Sequence, residues 1–453
     1  MRTPLFSSAS RRRHNCSSSF RLRLHLVPLF AAVVLALSFV RVQQVDAAPT
    51  EGSGMAVKPA PGLPENGLMS NGIHLGFLPN WSVEGPRDLN AAMGAGMAAV
   101  GDYINVSPSD SSMRQFDYHV SEVLRVANSD VPAVYIPAVL FGASLSRWTD
   151  EMSETLAGKC RDLNRRGVTV WVRFCFEMNG GWMAYGLEPE LYVETWRRVT
   201  EAIRAVTNET YMLWAPNVWN GDVEDSVQGY TPYWPGEKYV DLVGLSLYSF
   251  GPLRSLNRAP SASLFRDSFS PFYSLFSPPS LSSSSNLLSL SSSYPLVITE
   301  TSAPFYRSIP PDSPYYSQAG DTDIAAPQPN FSTAAGGTRF PPNLADPPYE
   351  RSDDELFIKG SWLAQLTGNA TAQRFPNLRL VNLFNYLKKG NGTAEVLADF
   401  RFLQGNATVE SWVRTSFGNN SAYLDGYTGG VGSSSPRTLL AVLVGLGMAL
   451  LWT

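Results

Sequence analysis

Eight short apolar runs, rich in β-branched residues, recur along the chain with helix-like stretches between them. They are IHLGFLP (73–79), AAVGDYINV (98–106), VPAVYIPAVLF (131–141), VTVWVRFCF (168–176), YMLWAPN (211–217), YVDLVGLSLY (239–248), PLVITET (295–301) and LRLVNLFN (378–385). Most are apolar on successive residues rather than on alternate ones. That pattern belongs to strands buried on both faces, as in a parallel sheet. The intervening segments carry helical spacing: in LYVETWRRVTEAIRAV (191–206), Leu191, Val193, Trp196, Val199, Ile203 and Val206 recur along one stripe. DDELFIKGSWLAQL (353–366) reads as another helix. Eight strands alternating with helices predict an α/β fold, a (β/α)8 TIM barrel, as a single catalytic domain over residues 71–415. A doubly wound sheet is the alternative. It would often show a glycine-rich nucleotide loop after its first strand, and GFLPNWSVEGP is not one. Two stretches interrupt the rhythm, 277–293 (serine, proline and leucine) and 308–349 (proline, glycine and serine). Both read as mobile loop insertions.

The ends carry a different message. Residues 1–47 combine an arginine-rich leader with a short apolar run and end in small residues, Val45 and Ala47, that suit cleavage after Ala47. A signal peptide is expected, with an uncleaved signal anchor as the alternative. Residues 48–70 read as a linker and 416–437 as a stalk. The apolar tail 438–453 is short for a spanning helix and follows small polar residues, as a GPI-attachment signal does. Asn420, Gly429, Gly432 and Ser433 are candidate attachment points, and a plain C-terminal anchor is the alternative. Asn80, Asn105, Asn208, Asn330, Asn369, Asn391, Asn406 and Asn419 each head a glycosylation sequon, so N-glycans and a secreted or cell-surface location are expected, with the membrane reached through the anchor. Beyond the leader only Cys160 and Cys175 remain, which excludes a disulfide framework. A formal net charge of -4 gives no electrostatic case for nucleic acid. No metal or nucleotide motif appears, so no cofactor is expected; the chain reads as a monomer.

In a (β/α)8 barrel the active site sits at the C-terminal ends of the strands. The fourth strand ends in Glu177 and Asn179, the fifth in Asn217 and Trp219, the sixth in Tyr248 and the seventh in Glu300. Two glutamates finish strands that face each other across the barrel. Retaining glycosidases use two carboxyl groups roughly 5–5.5 Å apart, one donating a proton and the other attacking the anomeric carbon. If strand four stays regular, Arg173, Cys175 and Glu177 share a face, and a buried arginine beside the carboxylates would hold one of them ionised. Glu177 could instead cap a helix or pair with an arginine. Cys175, facing the barrel interior, reads as a core thiol out of reach of Cys160. His74 reads as structural.

RFCFEMNGGWMAYG, followed by LYVETWRRVTEAIR and MLWAPN, resembles the acid/base segment of glycoside hydrolase family 26, which holds β-mannanases with some lichenases and xylanases. YTPYWPGEKYVDLVGLSLYSFGP (230–252), PLVITETSA (295–303), LFNYLKKG and ADFR (398–401) continue the likeness in order, over roughly residues 73–415. The resemblance implies Glu177 as acid/base and Glu300 as nucleophile. It implies Tyr248 as a hydrogen-bond donor to the nucleophile and Trp182 as a wall of the sugar cleft. Asn179, Asn217, Arg173 and Trp219 complete the expected substrate-binding set; Trp81, Trp219 and Trp234 are candidates for stacking on sugar. Where many members carry histidine before the acid/base, this chain has Phe176. Where many carry aspartate and glycine before the strand-six tyrosine, it has Ser246 and Leu247. These changes spare the carboxylate pair and put the sugar-binding subsite in question. The expected activity is a retaining endo-β-glycosidase on a β-1,4-linked polysaccharide, mannan-type first, with lichenase, xylanase or transglycosylase activity as alternatives. A glycan-binding wall protein without catalysis is the reading from another class.

Overall fold

The computed structural model describes residues 55–219, 228–250, 257–308, 353–389 and 396–418. The leader 1–47, nearly all of the 308–349 stretch, the tail 438–453, the four attachment candidates and the sequons at Asn330, Asn391 and Asn419 lie outside the described residues. Eight strands form the barrel: β1 (Ile73–Pro79), β2 (Ala99–Val106), β3 (Val134–Phe141), β4 (Val170–Phe174), β5 (Thr210–Trp214), β6 (Leu242–Ser246), β7 (Leu296–Thr301) and β8 (Leu378–Asn385). All neighbours pair in parallel, β8 pairs with β1, and β1 pairs with β2, so the sheet closes on itself. The expected (β/α)8 barrel is therefore the fold.

Helices α1 (Pro86–Met93), α2 (Val120–Ala127), α3 (Asp150–Asn164), α4 (Pro189–Arg204), α5 (Leu264–Phe276), α6 (Glu355–Thr367) and α7 (Asn369–Arg374) lie between successive strands, and α8 (Ala407–Val413) follows β8. Their starts are written locally. Thr149 caps α3 through Met152 N, Asp354 caps α6 through Leu356 N, and Asn406 caps α8 through Thr408 N. Pro189 opens α4 at a position where the missing N–H costs nothing.

Alternation along each strand sorts the core into two layers. In β4, Val170, Val172 and Phe174 pack with helix residues such as Cys160 and Trp196. Trp171 points the other way and joins Ala99, Val134, Ile136, Leu213, Leu242, Val297 and Leu380 in the barrel floor. That floor is plugged from below by Ala60 and Leu63. Trp171 Nε1 donates to Pro61 O (2.9 Å), and Lys58 Nζ donates to the Tyr294 hydroxyl (2.9 Å) and Val240 O (3.2 Å). The described part of the 48–70 stretch is thus no free linker, a correction to the composition-based reading. A filled barrel must be sealed at its lower end, and this proline-rich segment seals it. Residues 277–293 form a loop, but one held in place: Ser291 N and Ser292 N donate to the Glu237 carboxylate, and Leu290 is buried. At the other end the fold runs past 415, because Phe417 is buried against Trp412.

Beyond the barrel mouth a small antiparallel sheet forms from Phe305–Ser308, Leu387–Lys389 and Val396–Asp399. It is fastened to α6 by buried charges. Lys359 Nζ, fully buried, donates to Glu355 Oε1 (2.7 Å) and Arg401 O (2.5 Å). Arg401 donates to both oxygens of Asp399 at 2.9 and 3.0 Å, and Arg307 pairs with Glu355. Burial opposes the charge of Asp399, but Arg401 and Lys359 outweigh it and hold the carboxyl at about 2. Its folded pKa lies below the unfolded value of about 3.9, so its stabilisation is present above that value and is lost as pH falls towards 2. Lys359→Ala leaves Glu355 with Arg307 and Asp399 with Arg401 but removes the buried cation they share, and is expected to cost about 3 kcal/mol in urea unfolding; a loss below 1 kcal/mol would remove the network from the account of stability.

Candidate active site

The segment that carries Glu177 departs from a regular strand. β4 ends at Phe174, and both Cys175 (φ 43°) and Glu177 (φ 54°) adopt the left-handed backbone. For a residue with a Cβ that conformation costs roughly 1–2 kcal/mol, so neighbours must impose it. Cys175 N–H donates to Val139 O on β3 (2.9 Å), and Glu177 N–H donates to Ala215 O beyond β5 (2.8 Å). The kink breaks the alternation. Cys175 turns outward into the layer between strands and helices, whereas Phe176 lies with Ala138 and Ala215. The expectation that Cys175 shares the inner face with Arg173 and Glu177 is corrected. Both cysteines are free and buried, and burial pushes Cys160 up to about 12.

Glu177 and Glu300 meet at the barrel mouth, each 7% exposed, on either side of the Arg173 guanidinium. Arg173 donates to Glu300 Oε2 (2.6 Å) and to the Ser246 hydroxyl (2.5 Å), and its other contact, Glu177 Oε1, is 4.0 Å away. Its Cζ lies over the Phe176 ring, 3.8 Å from the ring centre. Tyr248 Oη donates to Glu300 Oε1 (2.5 Å), and the Tyr103 hydroxyl adds a further hydrogen bond. Trp182 Nε1 donates to Glu177 Oε2 (2.7 Å), and Ser246 hydrogen-bonds the same carboxyl group.

The electrostatics separate the two acids. Burial raises Glu177, the charge of Glu300 raises it further, and Arg173 only partly compensates, so it sits above the usual carboxylate range. Burial also works against ionised Glu300. The Arg173 charge and hydrogen bonds from Tyr248, Arg173 and Tyr103 overcome it, and Glu300 sits below the usual range. A carboxyl that holds its proton to higher pH, beside one that releases it at lower pH, suits a pair in which one donates a proton and the other attacks a carbon.

The other expected substrate contacts divide. Trp182 is exposed beside Glu177, and Tyr248 is half-buried against Glu300. Arg173 is buried beneath the carboxylates and holds them, which corrects its place among residues that touch substrate. Asn179 is likewise a brace: its amide donates to Asn217 O (2.9 Å) and accepts from Asn217 N–H (2.8 Å), tying the end of β4 to that of β5. The Asn217 side chain is half-buried at the mouth. Trp219 is half-buried, its indole packed over Gly229, where a Cβ would come within 2.5 Å. Trp234 packs against Trp214, Phe276 and Tyr294 and is core. Trp81 stacks on His119 at 4.3 Å and donates to Gly101 O (3.0 Å). His74 is structural, its ring nitrogens on Pro64 O and Arg379 O. Among the described residues no cluster of metal-ligating side chains occurs.

Tyr103 was not singled out from the sequence, although a signal was present. In AVGDYINV, Ala99, Gly101 and Tyr103 alternate onto one face, so an inward Ala99 places Tyr103 inward at the strand end. Tyr103→Phe removes one donor from ionised Glu300. The acidic limb of a pH–activity profile is expected to move to higher pH while the basic limb stays; an unmoved acidic limb would take Tyr103 out of the site.

Residues 142–275 match the family model described as glycosyl hydrolase family 26. A mannan endo-1,4-β-mannosidase A and B from Caldalkalibacillus mannanilyticus is 31% identical over 117 residues, 23% of this chain and 21% of that protein. A mannan endo-1,4-β-mannosidase from Bacillus subtilis is 29% identical over 140 residues, 28% of this chain and 35% of that protein. The chain thus spans well under half the length of these curated relatives. A solved β-mannanase from Bacteroides ovatus aligns over 78% of this chain and 92% of its own, at 13% identity and a TM-score of 0.46. The matched segment contains Glu177, its left-handed turn and Trp182, and over it this chain is similar to glycosyl hydrolase family 26.

Proposed function

We propose that this chain is a retaining endo-β-glycosidase acting on a β-1,4-linked polysaccharide, mannan-type first. The observation that carries the reading is the opposite displacement of two glutamates around one buried guanidinium. Glu177, held above the usual carboxylate range by burial and by the charge of Glu300, donates its proton to the glycosidic oxygen as Glu300 attacks the anomeric carbon. The C–O bond to the leaving sugar breaks, and a glycosyl ester on Glu300 forms. Glu177, now ionised, takes a proton from water, the water oxygen attacks the anomeric carbon, and the ester bond returns its electron pair to Glu300. The hydrogen bond from Tyr248 to Glu300 supports its role as donor to the nucleophile, and the exposure of Trp182 beside Glu177 supports its role as a cleft wall. The mannanase names of the curated relatives support mannan. Endoglucanase H of Acetivibrio thermocellus, 22% identical over 184 residues, supports a β-glucan as the next substrate to try. Phe176 and Ser246 keep that choice open, since both line the site where many members carry histidine and aspartate.

The reading includes an extracellular place for the protein, tethered at the cell surface through its C-terminal tail. The leader and the sequons support it, and Asn105, Asn208 and Asn369 are exposed as carriers of glycan should be. Asn80 is buried and accepts from the Ser82 hydroxyl (2.6 Å), and Asn406 donates to Glu355 Oε2 (2.8 Å), so neither suits modification. Removal of N-glycans from the native protein is expected to lower its mass; an unchanged mass would refute this part.

Two outcomes test the chemistry. With galactomannan, mannan, lichenan and xylan as substrates, one is expected to release oligosaccharides. Glu177→Gln is expected to lower kcat about 10²–10⁴-fold, and Glu300→Gln to abolish release. Wild-type release unaffected by either change would refute the assignment. The pH profile of kcat/KM is expected to be bell-shaped. Its acidic limb is the protonation of Glu300, at lower pH than an ordinary glutamate; its basic limb is the ionisation of Glu177, at higher pH. A single limb in the ordinary carboxylate range would contradict the electrostatic argument.

A further inference from the structure

The end of β2 is held by side chains where the sheet no longer holds it. Among the described residues β1 pairs with β2 only at Gly76–Ala99 and Phe77–Val100, so beyond Val100 one edge of β2 has no strand beside it, although pairing with β3 continues to Val106. Tyr103, whose hydroxyl reaches Glu300, stands on this half-paired stretch. Two side chains take the place of the missing ladder: Trp81 Nε1 donates to Gly101 O (3.0 Å), and Asn105 N–H donates to Gln115 Oε1 (2.6 Å).

Asp102 anchors the same stretch from behind. Successive residues of a strand face opposite ways, so Tyr103 points into the barrel and Asp102 into the helix layer, where it is 2% exposed. Burial raises the Asp102 carboxyl above its usual range, and hydrogen bonds from His119, the Tyr135 hydroxyl and the Tyr103 N–H offset that only in part. His119 Nδ1 lies 2.8 Å from Asp102 Oδ2, and Tyr135 Oη donates to the same oxygen (3.1 Å). An ionised carboxylate only accepts, so Nδ1 carries the proton. His119 is the residue that opens α2, and its ring lies flat on Trp81, 4.3 Å between centres and 7° between planes. One imidazole therefore joins the groups that hold Gly101 and Asp102. The charged side chains on the surrounding elements are matched to one another, Glu122 with Arg87 and Arg125, and Asp117 with Lys159. A buried carboxylate stripped of its donors is strongly unfavourable where it stands, so His119 fixes where Asp102 can be.

We propose that His119 is a positioning residue for the nucleophile: through Asp102, and through Trp81 on Gly101, it fixes the end of β2 so that the Tyr103 hydroxyl stays on Glu300. The proposal rests on the glycosidase reading above and adds to it a residue that lies in the helix layer. The path is short. Gly101 O, the Asp102 carboxylate and the Tyr103 hydroxyl belong to three consecutive residues, and they are bonded to the segment after β1, the start of α2 and the end of β7 in turn. Without the His119 donor, Asp102 turns towards water and carries the peptide between it and Tyr103 along. The Tyr103 hydroxyl then leaves Glu300, whose ionised form has one donor fewer, so Glu300 becomes a weaker acid.

His119→Leu removes the donor and keeps the bulk, whereas His119→Asn returns an N–H near the place of Nδ1. The full chain is assayed for kcat/KM against pH as wild type, as each of these variants, as Tyr103→Phe, and as Tyr103→Phe combined with His119→Leu. His119→Leu is expected to raise the acidic limb by about half to one pH unit, the worth of one hydrogen bond, with the basic limb unmoved. In the Tyr103→Phe chain the same change is expected to add nothing, because the bond it serves is already gone. His119→Asn is expected to keep the acidic limb close to wild type. An acidic limb unmoved in folded His119→Leu, or a further rise in the double variant, would overturn the proposal while leaving the glycosidase reading in place. If His119→Leu does not fold, Asp102→Asn, which keeps the shape and removes the charge, is read against the same outcomes. If no substrate is turned over, the glycosidase reading has failed, and an NMR titration of the Glu300 carboxyl carbon in the same chains decides the positioning role by the same comparisons.

Discussion

Arg173 is the group on which the site depends. A buried guanidinium cannot lose its proton, and leaving it unpaired would cost several kcal/mol. Here it is paired with Glu300 (2.6 Å), supported by Ser246 and laid on the Phe176 ring. The pairing keeps Glu300 ionised in a place where burial alone would neutralise it. The same charge reaches Glu177 from 4.0 Å, too far to overcome burial and the repulsion of Glu300. One cation at unequal distances therefore helps to displace two identical side chains in opposite directions.

The unequal distances come from the backbone. Were β4 regular through Glu177, Cys175 would occupy the inner face between Arg173 and Glu177. Two left-handed residues remove Cys175 from that face and raise the Glu177 carboxyl to the mouth, where Trp182 and Ser246 bind it. Hydrogen bonds from Cys175 and Glu177 to the flanking β3 and β5 segments hold the kink in place, and the Asn179 side chain secures the turn beyond it to Asn217. Strain at the acid is borne by the closed sheet around it.

Much of the fold was legible. Eight apolar runs gave eight barrel strands, and helical spacing over 191–206 gave α4 at Pro189–Arg204. Glu177, Glu300, Trp182 and Tyr248 were readable because a barrel puts strand ends at one face and because the surrounding segments resemble a family. Other features were not legible, for identifiable reasons. Residues 55–64 look like linker in composition, and only the open lower end of a barrel gives Ala60 and Leu63 something to cover. Tyr103 carried the right alternation but stood in a strand whose end showed no carboxylate to draw attention. Asn179 and Arg173 were the right residues in the wrong role, because spacing says which side chains converge and not which of them meet one another first.

The sequence by itself determined the strand and helix order and the two glutamates at the ends of the fourth and seventh strands, since burial periodicity and strand-end position are properties of the chain read along its length. Only the tertiary structure decided which glutamate is raised and which lowered, which face Cys175 takes, and that Leu187 stands exposed near Gly181. Each of these depends on distances between segments far apart in sequence, Arg173 to Glu300 above all, and a charge at 2.6 Å acts differently from one at 4.0 Å in a way that no order of residues records.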